Sequence, residues 1–122
     1  MSSDLLAKIE KIVRNQSSLD DSKVNNLINF FKNYKINYWV YPGIIKRKFS
    51  IPITDVYLLL DLLTEEGILK HYYELWCGQC QKSNGTVSTF KELQDFFDCE
   101  NCGERLSALE NSVLIYKVIK DD

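Results

Sequence analysis

At 122 residues and 45% hydrophobic content, the chain has material for one globular unit or two very small ones, and the fifty or so residues around its cysteines are too few to build an adequate core alone. Its longest apolar run, Val56 to Leu60, falls far short of the roughly 20 residues that cross a membrane, and Met1-Ser2-Ser3-Asp4 lacks the basic and apolar regions of a secretory leader, so the sequence reads as cytoplasmic with no membrane partner. The formal charge of −2 is uneven, with ten Lys/Arg against eight Asp/Glu over residues 1–73 and five against nine over 74–122; any nucleic-acid contact must therefore come from a local patch in the first half.

The first predicted element is a helix over about 4–14. Leu5, Leu6, Ile9, Ile12 and Val13 recur at helical spacing, and Ser3 or Asp4 can cap it. Periodicity alone leaves open whether this stripe packs on the chain's own core or forms a homodimer through Leu5, Ile9 and Ile12. Asn15-Gln16-Ser17-Ser18 breaks the pattern. A second helix over about 20–34 restarts it, with Val24, Leu27, Ile28, Phe31 and Tyr34 inward.

Tyr38, Trp39 and Tyr41 form an aromatic cluster, which either closes the core between helices or presents a surface for protein docking or base stacking. Pro42-Gly43 then opens a short helix with Ile44, Ile45 and Phe49 available to the core and the basic triplet Lys46-Arg47-Lys48. After the turn Ser50-Ile51-Pro52-Ile53, Val56, Leu59, Leu60 and Leu63 repeat at helical spacing until Gly67 stops them. Short helix, turn and longer helix make a helix-turn-helix. Ile68 to Trp76 is rich in aromatic and branched residues and predicts a strand; Ser112 to Ile119 predicts another, pairing with the first as two wing strands.

Between these strands lie all four cysteines, Cys77-Gly78-Gln79-Cys80 and Cys99-Glu100-Asn101-Cys102, in the spacing C-x2-C-x18-C-x2-C. Two tight turns that each offer two thiolates to one tetrahedral ion need this arrangement, so it predicts a zinc ribbon holding one structural Zn2+. Gly78 and Gly103 supply torsional freedom at or after the turns. A disulfide framework belongs in an oxidising compartment, and a single redox C-x-x-C belongs at the start of a helix in a βαβ unit, so neither suits this segment. A Zn(Cys)4 centre would add −2 to an already acidic half. Phe90, Leu93, Phe96 and Phe97 have the spacing of one helical turn and read as the ribbon's own core.

The expected architecture is α+β: a helical winged-helix part over 1–76 with an extra N-terminal helix, a zinc ribbon over 77–110 inserted at or following the wing, and a final strand over 111–122. Leu-Leu-Thr-Glu-Glu-Gly-Ile-Leu at 62–69 resembles the join between recognition helix and wing in winged-helix proteins. A winged helix followed by Cys77, Cys80, Cys99 and Cys102 resembles the alpha subunit of general transcription factor E of archaea and eukaryotes, and small prokaryotic winged-helix/zinc-ribbon regulators. The resemblance implies a non-catalytic protein that docks onto polymerase and promoter DNA.

Catalysis has little to stand on. Four thiolates close a zinc site that a catalytic metal would leave open, the lone His71 reads as a strand residue, and no phosphate loop or nucleophile elbow is present, so neither an enzyme nor a small-molecule substrate is expected. For DNA, Lys46, Arg47 and Lys48 are placed to hold phosphates, with Thr54 and Tyr57 facing outward from the next helix. That helix presents Thr54, Asp55, Tyr57, Leu58 and Asp61, without the Arg, Lys, Asn or Gln that pair with base edges. A protein partner, met through Tyr38, Trp39 and Tyr41, is the other expectation.

Overall fold

Apolar stripes account for the helices of the first unit, and side-chain caps start the first two. The computed structural model describes residues 1–16 and 19–122; the expected break at Ser17-Ser18 and the side chain of Phe90 lie outside the described residues. Helix α1 spans Ser3–Arg14, and its cap is Ser2 rather than Ser3 or Asp4: the Ser2 hydroxyl accepts from the Leu5 N–H at 3.2 Å. Helix α2 spans Asp21–Lys32, with the Asp20 carboxylate accepting from the Lys23 N–H at 2.8 Å. Leu5, Ile9 and Val13 of α1 are buried, as are Val24, Leu27 and Phe31 of α2, and α1 packs on α2 and on α4 (Ile53–Glu65). Of the residues through which a homodimer was expected, Leu5 and Ile9 are covered by the chain's own core and Ile12 is half-buried.

Helix α3 spans Pro42–Phe49 with Pro42 in its first turn, and Ser50 ends it in the left-handed region at φ 54°. Of the three apolar residues expected inward, only Ile45 is fully buried; Ile44 is exposed and Phe49 half-buried. Val56, Leu59, Leu60 and Leu63 turn α4 inward. Its end needs a glycine: the Gly67 N–H donates to the Thr64 carbonyl and the Ile68 N–H to Leu63, both at 3.0 Å, with Gly67 at φ 77°.

A short strand and the end of a longer one complete this unit. Strand β1, Trp39–Val40, pairs antiparallel with β6, Ser112–Val118, in the register Trp39 to Lys117 and Val40 to Tyr116. The aromatic cluster does not close the core, since Tyr38 is 48% exposed, Tyr41 is exposed and Trp39 half-buried; Val40 between them carries the burial. Pleating puts alternate residues on opposite faces, so the inward position falls to Val40. Tyr116 is fully buried, and its hydroxyl donates to the Asp61 carboxylate on α4 at 2.6 Å.

The chain divides into two compact units, residues 1–70 with 116–122 and residues 71–115. Strand β2, Leu69–Cys77, carries the chain into the second unit, where it pairs antiparallel with β3, Lys82–Val87. The four-stranded sheet runs in the order β1-β6-β2-β3. Strands β4, Phe96–Asp98, and β5, Arg105–Ser107, form a separate antiparallel pair. The helical turn expected over Phe90 to Phe97 is replaced by a single 3-10 turn at Phe90–Glu92 followed by β4. Extended backbone alternates its side chains, which leaves Phe96 exposed and Phe97 half-buried instead of sharing one face.

Candidate metal centre

Cys77 is the last residue of β2, so strand pairing fixes the first sulfur. The chain then turns tightly, the Gln81 N–H donating to the Cys77 carbonyl at 2.8 Å; the second turn repeats this with the Gly103 N–H on the Cys99 carbonyl, also at 2.8 Å. Both closing residues are left-handed, Gln81 at φ 58° and Gly103 at φ 74°. Gly78, expected to relieve the first turn, does not adopt a left-handed φ; Gln81 does, at a cost of about 1–2 kcal/mol. The Gln81 side-chain amide donates back to the Gly78 carbonyl and secures that turn.

The four sulfurs lie within 4.8 Å of one another. Their close pairs run between the turns, Cys77 to Cys102 at 3.6 Å and Cys80 to Cys99 at 3.4 Å. A disulfide needs about 2.05 Å. Four sulfurs each about 2.3 Å from a central ion would stand about 3.8 Å apart, so the set fits a tetrahedral metal. Cys77 and Cys99 are buried, Cys80 is half-buried and Cys102 exposed. Among the described residues no histidine or carboxylate joins the cluster, and His71 is an exposed residue of β2.

Sequence spacing could not show how the thiols are tuned. The backbone N–H groups of Cys102 and Asn101 and the Asn84 amide hold Cys99 down at about 6, the Cys102 N–H contributing most. Burial and the neighbouring sulfurs push Cys80 up to about 12. Cys102 is also raised: burial and the Cys77 and Cys99 sulfurs outweigh the N–H of Glu104, its largest single influence, which acts downward. One thiolate therefore stands ready at neutral pH, while Cys80 and Cys102 must release protons to bind a cation. Protons then compete with the metal, and affinity falls as pH falls. With at least two protons released, affinity should drop at least about a hundredfold from pH 7.5 to 6.5, measurable by chelator competition.

Asn84 is the site residue that sequence reasoning missed. Its Nδ2 donates to the Cys99 sulfur at 3.6 Å, and its Oδ1 accepts from the Glu100 N–H at 2.9 Å. Asn84-Gly85 reads as a turn dipeptide, but it sits inside β3, where the register slips by one residue between Glu74 and Trp76 and Gly85 adopts φ 98°. Such a bulge re-aims a side chain, and here the amide reaches the second cysteine pair.

The other predicted site residues lie in the first unit. Lys46, Arg47 and Lys48 occupy the last turn of α3, all exposed. Lys48 Nζ stands 5.4 Å from the Phe30 ring centre and 5.9 Å from that of Phe49. Phe30 also meets Tyr34, at 4.9 Å, and Tyr34 meets Tyr38 at 5.8 Å, so Lys48 and Tyr38 border one aromatic cluster. Trp39 is covered by Lys117, whose Nζ lies 4.8 Å from its ring centre, and Tyr41 precedes α3. Thr54 is exposed in the first turn of α4 and Tyr57 half-buried; no hydrogen bond or ion pair among the described residues joins either to the triplet.

Compared with family models, curated proteins and solved structures, the chain has no match in any of the three. Among the described residues no helix is long and apolar enough to cross a membrane.

Proposed function

We propose that the chain is a non-catalytic docking module, a winged helix with a zinc-stabilised ribbon between its wing strands, which contacts nucleic acid as a transcription regulator does. The order α2-β1-α3-α4-β2-β6, with β6 between β1 and β2, supports the winged helix. Zinc suits a closed set of four thiolates because it is redox-inert and prefers tetrahedral sulfur. It would be held by Cys77, Cys80, Cys99 and Cys102 as a structural ion and would supply no reaction chemistry.

The observation that carries the nucleic-acid reading is the cationic end of α3 beside a half-buried aromatic cluster with exposed Tyr38 at its edge. Lys46, Arg47 and Lys48 are available to phosphates, Lys23 reaches the same turn through a 3.0 Å hydrogen bond to the Ser50 carbonyl, and Tyr38 is available for base stacking. Basic residues in the last turn also favour the helix dipole, which explains their tolerance there but not their exposure beside aromatic rings. The outward face of α4, with Thr54, Leu58 and Asp61, offers nothing to pair with base edges, so binding should be insensitive to sequence.

Salt-titrated binding to duplex and single-stranded DNA tests this. Replacing Lys46, Arg47 and Lys48 together by Ala should weaken binding at least tenfold at low salt and flatten the log–log salt slope by roughly 2.7, about 0.9 per lost phosphate contact. Absence of low-salt binding by the unsubstituted protein sinks the reading. A second reading, an adaptor that binds only protein, is favoured by Leu58, 55% exposed in the middle of α4. Under it, neither DNA form binds.

A further inference from the structure

The second unit has a surface that nucleic-acid docking does not use. Leu93, Asp95, Phe96, Ser107, Ala108 and Leu109 line a groove of about 410 Å³. It shares Leu93, Phe96 and Ala108 with a deeper pit of about 120 Å³, to which Leu75 and Phe97 contribute. That pit is comparable with the ~150 Å³ that accommodates a benzene-sized group.

Leu109 is 78% exposed and Phe96 is 50% exposed, two apolar side chains on the lips of one groove. Leu109 is held there by its turn. The backbone N–H and side-chain amide of Asn111 both donate to the Ser107 carbonyl, at 3.0 and 2.8 Å. The Ala108 N–H donates to the Asp95 carbonyl at 3.0 Å and ties the turn to the opposite wall. A rigid turn that presents leucine to water is what an anchor site requires, since little entropy is left to lose on binding.

Charge selects the occupant. Residues 71–115 carry three Lys/Arg against seven Asp/Glu, a formal −4, and a Zn(Cys)4 centre would take this to −6. Asp95 lines the groove, Glu92 the pit, and Glu110 follows Leu109 in sequence. Arg105 on the neighbouring strand lies over the Phe96 ring, 5.0 Å from its centre, and is engaged there.

We infer that this groove docks a partner protein's peptide segment in which one large apolar side chain is flanked by Lys or Arg. The apolar side chain fills the pit between Leu93 and Phe97 and is covered by Phe96 and Leu109. The flanking cations meet Asp95, while Glu92, whose carboxylate accepts from the Ser88 N–H and hydroxyl at 3.3 and 2.9 Å, adds its charge to the rim. An acidic rim around an apolar pit repels acidic segments and attracts basic ones over uncharged ones.

The test uses the zinc-loaded 122-residue chain and fluorescein-labelled ten-residue peptides with a central Leu, Phe or Trp between two pairs of Arg or Lys. Companion peptides carry Glu in place of the cations, or Ala in place of the central residue. Saturable binding of the basic apolar peptides, with amide shifts centred on Phe96, Ala108 and Leu109, is expected. Glu or Ala companions should bind at least tenfold more weakly. Leu109→Asp changes an exposed residue and so preserves the fold; it should cost at least tenfold, and Asp95→Lys a similar factor at low salt that vanishes at high salt. Failure of every peptide to bind up to 1 mM overturns the proposal. So does binding that needs the cations but ignores the central residue, and so does self-association of the chain that Leu109→Asp abolishes, which would make the groove a contact between copies.

Discussion

Replacing Cys99 by Ser, or stripping the metal with a chelator, should unfold residues 71–115 while α1, α2 and α4 stay packed. The physical reason is the composition of the second unit's interior. Among its described residues, the buried apolar side chains are Cys77, Cys99, Ala108 and Ile115, and two of these four are sulfur donors. At about 25 cal/mol per Å² of buried apolar surface, so small an interior cannot offset the cost of ordering some forty residues, roughly 1–2 kcal/mol each for backbone alone. Structural zinc in comparable modules contributes on the order of 10–16 kcal/mol, which would make such an ion the largest single stabilising contribution here. Cys99 is the most damaging position to lose, because its thiolate collects the turn N–H groups and the Asn84 amide. A serine hydroxyl stays protonated and does not replace it. Elemental analysis should fall from about one metal per chain to none. Hydrogen exchange should show amides of β3 and β5 losing protection at least about a hundredfold while Leu27, Phe31 and Leu60 keep theirs. A metal-free chain with four reduced thiols and protected strands would contradict the role assigned to the cluster.

In the first unit the largest loss should follow Phe31→Ala. Phe31 is fully buried on α2, with its ring 5.4 Å from Phe30 and 5.8 Å from Tyr34. Truncating such a ring removes its transfer energy and leaves a cavity, together about 3–5 kcal/mol. Domains of this size hold about 5–15 kcal/mol in all, so the variant should sit near its unfolding threshold, with a midpoint lowered by at least about 12 °C. Tyr38→Ala is the contrast. Tyr38 is half exposed and borders the same rings, so its loss should shift the midpoint by only a few degrees while reducing any stacking on single-stranded DNA. Thermal or urea unfolding followed by far-UV circular dichroism measures both. Equal losses for the two variants would mean that the ring cluster, rather than the packed helix face, supports the unit.

The helices were legible because their signals are local. Leu5-Ile9-Val13 and Val24-Leu27-Phe31 recur at the period of a helix, and caps lie within three residues of the groups they satisfy. The short strands were not. β1 has two residues and β4 and β5 three each, too few for any alternation to show, and each exists only because a partner strand supplies its hydrogen bonds. The reading of Phe90 to Phe97 as a helical turn failed for this reason: spacing fits a helix, but the pairing of Phe97 with Leu106 requires extended backbone.

For the metal centre, the sequence by itself determined which four atoms can bind and that they come as two turns, because C-x-x-C is a local geometric unit. The tertiary structure alone decided that the close sulfur pairs run between the turns, that Cys99 is the ready thiolate while Cys80 keeps its proton, and that Gln81 and Asn84 complete the site. Proton affinity is set by burial and by hydrogen-bond donors brought in from as far as fifteen residues away. No spacing along the chain encodes that distance in space.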